Sequence, residues 1–287
     1  GHPRLRDAVK PWTFDLVRKI FGAYDEETRR QLIREFFVLV PKKNGKSSCS
    51  SGVMLTAMLL NDRTNAEMII LAPTVEIARN AYDPLRGMIK EEPELNDLFR
   101  VQDHVRTITH RITGATLKVV AADSVTVGGI KASVVLVDEL WLFGKRRNSE
   151  NMLREATGGL VSRPEGFVIY LTTQSDEPPA GVFASKLKYA RDVRDGKIKD
   201  PQFYPLLYEF PQEMLRNESW RNPDNWALVN PNIGASVDID YLKREYQKAE
   251  HDGEASMRGF AAKHLNVEIG VALQNDSWAG AEFWESA

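Results

Sequence analysis

Apolar residues fall in short blocks along this chain, and the blocks have two different periods. Residues 35–40, 66–73, 133–140, 166–175 and 203–210 are brief, dense apolar runs that read as strands. In the third of them Val134 to Val137 are unbroken apolar positions, the pattern of a strand covered on both faces. Between the runs the period lengthens to that of a helix. Residues 11–21 predict a short amphipathic helix, with Pro11 at its start and Gly22 at its end. Further helices are expected from about Ser47 to Leu60, from an N-cap at Thr74 to about Lys90, over 148–157 and over 181–195. Residues 104–121 alternate around a Thr-Gly turn and predict a hairpin. Strands alternating with helices argue an α/β fold, a parallel sheet with helices on both faces.

The pattern changes after Pro211. From there to about Asn266 the text is helical and rich in loops, with Trp220 and Trp226 expected to anchor a small packed unit. Asp238 or Asp240 is expected to begin a charged helix that ends near Gly253. Residues 267–287 carry no clear pattern. The division expected is a core over 1–210, a small helical subdomain over 211–270 and a tail over 271–287. There are no internal repeats, low-complexity tracts or zinc-ligand spacings.

Composition narrows the class. The chain has 287 residues, 43% hydrophobic and 27% charged, which is the make-up of a globular protein with a sizeable core. A single cysteine, Cys49, excludes an intrachain disulfide and suits a reducing compartment; it reads as a small residue on a packed helix. No apolar run approaches the ~20 residues of a membrane span, and no signal peptide is expected. A net charge of −2 argues against indiscriminate binding of nucleic acid. Charge is nonetheless uneven: residues 1–50 hold eleven basic against six acidic side chains, and residues 184–199 six against two. Each stretch reads first as a solvated face. His104 and His110 have no ligand spacing and read as surface or core residues. Trp12, Phe14 and Phe21 read as core.

Two stretches carry chemistry. In VLVPKKNGKSS, residues 38–48, an apolar strand meets a turn and then a polar helix start. Gly45-Lys46-Ser47 is the second half of a phosphate-binding loop, although Val40 stands where the full pattern has glycine. Backbone N–H groups at a helix start attract an anion, Lys46 suits β- and γ-phosphates, and the Ser47 hydroxyl suits Mg²⁺. In SVVLVDEL, residues 133–140, Asp138 and Glu139 stand at the carboxyl end of a buried strand, where open α/β sheets bind ligands. Asp138 is suited to hold the metal of a bound nucleotide and Glu139 to activate water. Thr172, Thr173, Gln174 and Ser175 end the next strand and are placed to sense the γ-phosphate or the attacking water.

VPKKNGKS, VVLVDEL, YLTTQS and NPNIG…LKREY…AAKHLN, in that order, resemble the large terminase subunit of tailed double-stranded-DNA phages. The resemblance covers nearly the whole chain. It implies an additional-strand RecA-like P-loop ATPase core with a small helical subdomain, an ATP-hydrolysing motor that drives double-stranded DNA into a procapsid. By the same resemblance ATP and Mg²⁺ are the cofactors. The implied partners are DNA, the portal protein, the small terminase subunit and further copies in a ring, in the host cytoplasm at the portal vertex and with no membrane. Pro41, Lys42, Lys43, Asn44, Gly45, Lys46, Ser47 and Ser48 match the nucleotide loop, with Lys42 at the family's early basic position. Ser47 and Asp138 match metal ligands, Glu139 the catalytic glutamate, and Thr172, Thr173 and Gln174 the coupling motif.

The chain also departs from the family. Thr13 stands where many members have an adenine-reading Gln. The segment TVGGIKAS, residues 126–133, has Gly128, Gly129 and Lys131 where some members carry an arginine that reaches a neighbouring subunit. Arg163 is the first alternative for that arginine, and Arg146 and Arg147 the second. The nuclease that follows in family members has no counterpart in these residues, so no nuclease activity is expected of them. Two other classes fit a P-loop: a small-molecule kinase, which needs no water-activating Glu139, and a nucleotide-gated binding module with little turnover.

Overall fold

The computed structural model describes residue 7 and residues 9–122 and 131–270. Helix α1 (Pro11–Phe21) leads to a two-strand ribbon, β1 (Tyr24–Asp25) and β2 (Arg30–Gln31). The chain continues through β3 (Glu35–Leu39), α2 (Lys46–Leu60), β4 (Glu67–Ala72), α3 (Val75–Glu91) and α4 (Pro93–Leu98). Three strands follow, β5 (Phe99–Gln102), β6 (Thr107–His110) and β7 (Thr116–Ala121). Next come β8 (Ala132–Asp138), α5 (Leu140–Phe143), α6 (Ser149–Gly158), β9 (Phe167–Thr172), α7 (Gly181–Arg194) and β10 (Phe203–Leu207). The last helices are α8 (Gln212–Arg216), α9 (Ile239–Asp252) and α10 (Glu254–Leu265).

Eight strands form one sheet in the order β10-β3-β9-β8-β4-β7-β6-β5. Every pair from β10 to β7 is parallel, and the β7·β6 and β6·β5 pairs are antiparallel. This is a mostly parallel RecA-like α/β sheet. Strand β9 lies between β3 and β8, in register Leu39↔Thr172 on one side and Asp138↔Leu171 on the other. That insertion brings the polar end of β9 between the loop after β3 and the acidic end of β8. The hairpin over 104–121 is present, but its second strand also pairs in parallel with β4, and β5 extends it by a third strand.

Each strand sorts its side chains by parity, because successive residues point to opposite faces. Phe36, Val38, Met68, Ile70, Val134, Leu136, Ile169 and Leu171 pack on one face with α1, α2 and α3. Phe37, Leu39, Ile69, Leu71, Val135, Val137, Val168 and Tyr170 pack on the other with α5, α6 and α7. Phe36 and Phe37 are both fully buried, so truncating either to Ala is expected to cost about 3–5 kcal/mol. A third cluster lies between residues 210 and 269 and includes Trp220, Trp226, Leu242, Phe260 and Leu265. Trp220 and Trp226 are completely buried, and the Trp226 indole donates to Trp220 O at 2.9 Å. Asp238 is the helix cap of the two aspartates, its side chain accepting from the N–H groups of Asp240 and Tyr241.

Two expectations change. Phe14 is 37% exposed and is not a core residue; Trp12, Leu16 and Ile20 carry the buried stripe of α1. The basic stretch over 184–199 is largely neutralised within the fold. Lys186 pairs with Glu35 at 2.9 Å, Arg191 with Glu209 at 2.7 Å and Glu268 at 2.5 Å, and Lys188 and Lys197 both with Asp192.

Candidate nucleotide site

The loop after β3 is shaped by two left-handed residues. Lys43 has φ 70° and Gly45 φ 75°. Gly45 is the N-cap of α2 and makes no side-chain cap bond, so the first N–H groups of the helix are left for an anion. Glycine suits this left-handed position, where a Cβ would also stand a tight 3.2 Å from Asn232 Nδ2. Lys46 opens α2 and is 8% exposed. Among the described residues its ammonium has a single long hydrogen bond, to Pro41 O at 3.4 Å. Burial lowers its pKa, opposed by the charges of Glu139 and Asp138. A buried cation with so little internal satisfaction is a receptor for negative charge.

A cavity of about 610 Å³ opens over this turn. Loop residues Lys42, Lys43, Gly45, Lys46, Ser47 and Ser48 form one wall, and Glu139, Trp141 and Leu142 face them. Ile77, Asn80 and Ser236 complete the lining. A second cavity, of about 360 Å³, lies at the opposite ends of the strands beside Tyr24, Gln31, Ser133 and Phe167, and contains neither the loop nor the acidic pair.

Asp138 ends β8 and is 3% exposed. Its carboxylate accepts the Glu139 N–H at 3.0 Å. Burial, then the neighbouring Glu139, pushes its pKa up to about 7 against the pull of Lys46. No Lys or Arg among the described residues lies within ion-pair distance of it. A buried carboxylate is a hard oxygen donor of the kind a magnesium ion takes alongside phosphate and water. No cluster of three or more His, Cys, Asp or Glu among the described residues offers a cation an all-protein cage.

Glu139 has left-handed backbone angles of φ 50° and ψ 53°, which swing its side chain off the line of β8 into the cavity wall. Its Oε2 accepts from the Trp141 indole at 2.8 Å and from the Thr173 hydroxyl at 3.5 Å. Thr172, Thr173 and Gln174 are fully buried beside it. The Thr172 hydroxyl accepts from Trp141 N at 3.1 Å and donates to Thr173 O at 2.8 Å.

The residues after β10 hold this site from behind, and sequence reasoning assigned them no role. Asn44 is fully buried; its amide donates to Pro41 O, Lys42 O and Asn230 Oδ1 at 3.2, 3.2 and 2.8 Å, and its oxygen accepts from Asn232 N at 3.0 Å. Asn232 also accepts from the Trp12 indole at 2.6 Å. The Asn266 side chain accepts from Gln174 N at 3.1 Å and donates to Tyr208 O at 2.8 Å. Lys263 donates to Gln174 O at 3.1 Å, and its own carbonyl accepts from Lys42 N at 2.9 Å. The only signal in the text was the pair of stretches NPNIG and AAKHLN. They mark a place without saying what it touches.

Arg163 is not brought to this chain's own cavity. Its carbonyl accepts from Arg34 and from Gly166 N, ahead of β9, whereas the cavity lies beyond the other end of that strand. At ~3.3 Å per residue the separation is on the order of 20 Å. Arg146 and Arg147 follow α5 closer to the site, and neither is in an ion pair among the described residues. Thr13 is buried beside Cys49, whose thiol pKa burial pushes up to about 12. Of TVGGIKAS, Gly128 and Gly129 lie outside the described residues, as does the expected tail over 271–287. Lys131 is exposed, its N–H donating to Glu67 at 3.1 Å.

A glycine-gated loop between strand and helix, facing an acidic pair at the end of a parallel strand, defines the P-loop class of α/β domains. Within that class, the family model for the terminase large subunit, ATPase domain, matches residues 11–192, and the chain belongs to that family. The terminase large subunits of Lactococcus phages p2 and SK1 are each 21% identical over 275 residues, covering 93% of this chain and 47% of theirs. The chain thus spans about half the length of the curated relatives it matches. The crystal structure of the HK97 bacteriophage large terminase shares the fold with a TM-score of 0.75 at 18% identity, over 94% of this chain and 52% of that one. A large terminase from a thermophilic bacteriophage, solved in complex with ATP-γ-S, matches with a TM-score of 0.55 at 16% identity, over 84% and 49%.

Proposed function

We propose that this chain is the ATP-hydrolysing motor domain of a phage terminase large subunit, driving double-stranded DNA into a procapsid. One observation carries the reading: Lys46, Ser47 and Glu139 line the same 610 Å³ cavity, with Asp138 buried beside it. The loop from Pro41 to Ser48 cradles the phosphates with its N–H groups, and Lys46 places its charge on the β- and γ-phosphates. Lys42 adds a second positive charge at the cavity wall. Ser47 and Asp138 would hold Mg²⁺, which when bound offsets the charge of those phosphates. Glu139 accepts a proton from the water that attacks the γ-phosphate. Thr172, Thr173 and Gln174 link that event to movement, since they contact Glu139 and Trp141 on one side and Lys263 and Asn266 on the other.

In this reading residues 1–210 are the ATPase core and residues 211–270 a lid that closes on it. The portal protein, the small terminase subunit, DNA and further copies of the chain are the partners, at the portal vertex in the host cytoplasm. Arg163 serves a neighbouring copy. Phosphate release from ATP, with and without double-stranded DNA, tests the reading. Lys46→Ala is expected to abolish turnover and weaken nucleotide binding, because the lysine meets phosphate charge in ground and transition states alike. Glu139→Gln is expected to bind ATP and hydrolyse it at least ~100-fold more slowly, the scale of a lost general base. Wild-type turnover in either variant overturns the assignment.

A further inference from the structure

Trp141 joins three parts of the molecule at one ring. Its indole N–H donates to Glu139 at 2.8 Å, and its backbone N–H donates to Thr172 at 3.1 Å. The Lys263 ammonium, from the last turn of α10, stands 3.1 Å from the ring centroid. The same ammonium donates to Gln174 O and is 3.7 Å from Asp176. Lys263 also meets the start of the phosphate loop, through its carbonyl and Lys42 N. One residue of the last helix therefore touches both the loop and the partner of the acidic pair.

The geometry limits what can hold Glu139. Among the described residues its carboxylate has one good hydrogen bond, from the indole, and one at the limit of length, from Thr173. An indole N–H only donates, so it fixes one carboxylate oxygen and leaves the other available to water. Misplacement of a reacting group by ~1 Å costs on the order of 10²-fold in rate. A cation on the ring face anchors the ring and draws electron density from it, which makes the N–H a stronger donor. Trp141, at 9% exposure, and Lys263, at 8%, are both largely buried, which limits competition from water at the ring face.

We propose that Trp141 and Lys263 are positioning residues for ATP hydrolysis: Lys263 seats the indole, and the indole aims the Glu139 carboxylate. The α10 helix thereby bears on the hydrolytic group as well as on the loop. This rests on the reading of Glu139 as the group that activates water.

The test compares Trp141→Phe, Lys263→Met, Lys263→Arg and the double variant W141F/K263M of the 287-residue chain. Single-turnover hydrolysis, steady-state kcat and KM, binding of a fluorescent ATP analogue and thermal melting are measured for each. Trp141→Phe keeps the ring face and loses the N–H. It is expected to lower kcat about 10-fold, the scale of one hydrogen bond to a charged group, with KM and ATP affinity unchanged within about 2-fold. Lys263→Met is expected to lower kcat by a smaller factor, about 3- to 10-fold, and Lys263→Arg, which also sits well on an aromatic face, to recover most of it. In the Trp141→Phe background Lys263→Met is expected to add no further loss, because the lysine acts through the indole. Wild-type kcat in Trp141→Phe, multiplying losses in the double variant, or no recovery with arginine overturns the inference. If Trp141→Phe melts early, the methionine and arginine pair at 263 decides it alone. Normal hydrolysis by Glu139→Gln sinks the underlying reading instead; a dead Glu139→Gln beside a normal Trp141→Phe sinks only the positioning role.

Discussion

Asn44→Ala is the sharpest probe of how the phosphate loop is held. Asn44 has no exposed surface, and its side chain makes four hydrogen bonds, three within the turn or to Asn230 and one from the Asn232 N–H. Truncation leaves the Asn232 N–H and one Asn230 oxygen buried without that partner. Each orphaned group costs about 1–3 kcal/mol, so the variant is expected to lose about 2–6 kcal/mol of stability. The turn around Lys43, at φ 70°, loses the Asn44 bonds to the Pro41 and Lys42 carbonyls at the same time, and ATP affinity is expected to fall at least ~10-fold. Urea unfolding with an unchanged m-value, alongside nucleotide titration, reads both effects. Asn44→Asp supplies the control. It keeps the acceptor for Asn232 but turns a negative charge toward Pro41 O, Lys42 O and Asn230 Oδ1, so it is expected to be at least as damaging as alanine. A loss below about 0.5 kcal/mol in Asn44→Ala, or an aspartate variant milder than the alanine one, refutes the clamp.

Two further outcomes follow from placement and charge. Arg163→Ala is expected to leave ATP binding by the dilute chain unchanged, and to remove any rise in specific activity with protein concentration; mixed with Glu139→Gln protein it should recover part of the hydrolysis. Activity that stays flat on dilution, together with a harmless Arg163→Ala, would rule out a shared site. His264 is packed on Phe260 at 5.2 Å, and burial, then the charges of Lys42 and Lys43, lowers its pKa from 6.5 to about 4. Between those values the unfolded chain binds a proton that the folded chain does not, so stability is lost as pH falls from 6.5 to about 4 and then levels off. His264→Phe is expected to flatten that limb by at most about 3 kcal/mol; an unaltered acid profile would show that the loss arises elsewhere.

What was legible in the chain follows its burial. The strand read over 66–73 is Glu67–Ala72, and the helix capped by Thr74 runs Val75–Glu91 with the expected side-chain cap. Elements covered by core write unbroken or periodic apolar text. Helix α4 has no buried residue and left no stripe to read, and β1 and β2 are two residues each. Phe14 was misplaced although its position held the answer: at 100° per residue it sits opposite the line of Trp12, Leu16 and Ile20. The loop and the acidic pair were legible because their parts are consecutive. Asn44 and Asn230 are 186 residues apart and Lys263 and Gln174 are 89, and no local pattern joins such pairs.

Those distant pairs change what the site is. A buried polar side chain needs a partner, and here the partners of the helical layer are the loop and the end of β9. Asn230 and Asn232 close on Asn44, Asn232 takes the Trp12 indole, and Lys263 reaches Gln174 O while holding Lys42 N. The β3–α2 unit supplies the loop wall of the cavity, but its shape is completed by groups from before β3 and after β10. Movement of α10 must either break these bonds, at about 1–3 kcal/mol for each group left unsatisfied, or carry the loop with it. On the proposed reading, an event at the phosphates and a displacement of the last helices would be two ends of one hydrogen-bonded assembly. These hydrogen bonds cross the boundary expected at residue 210.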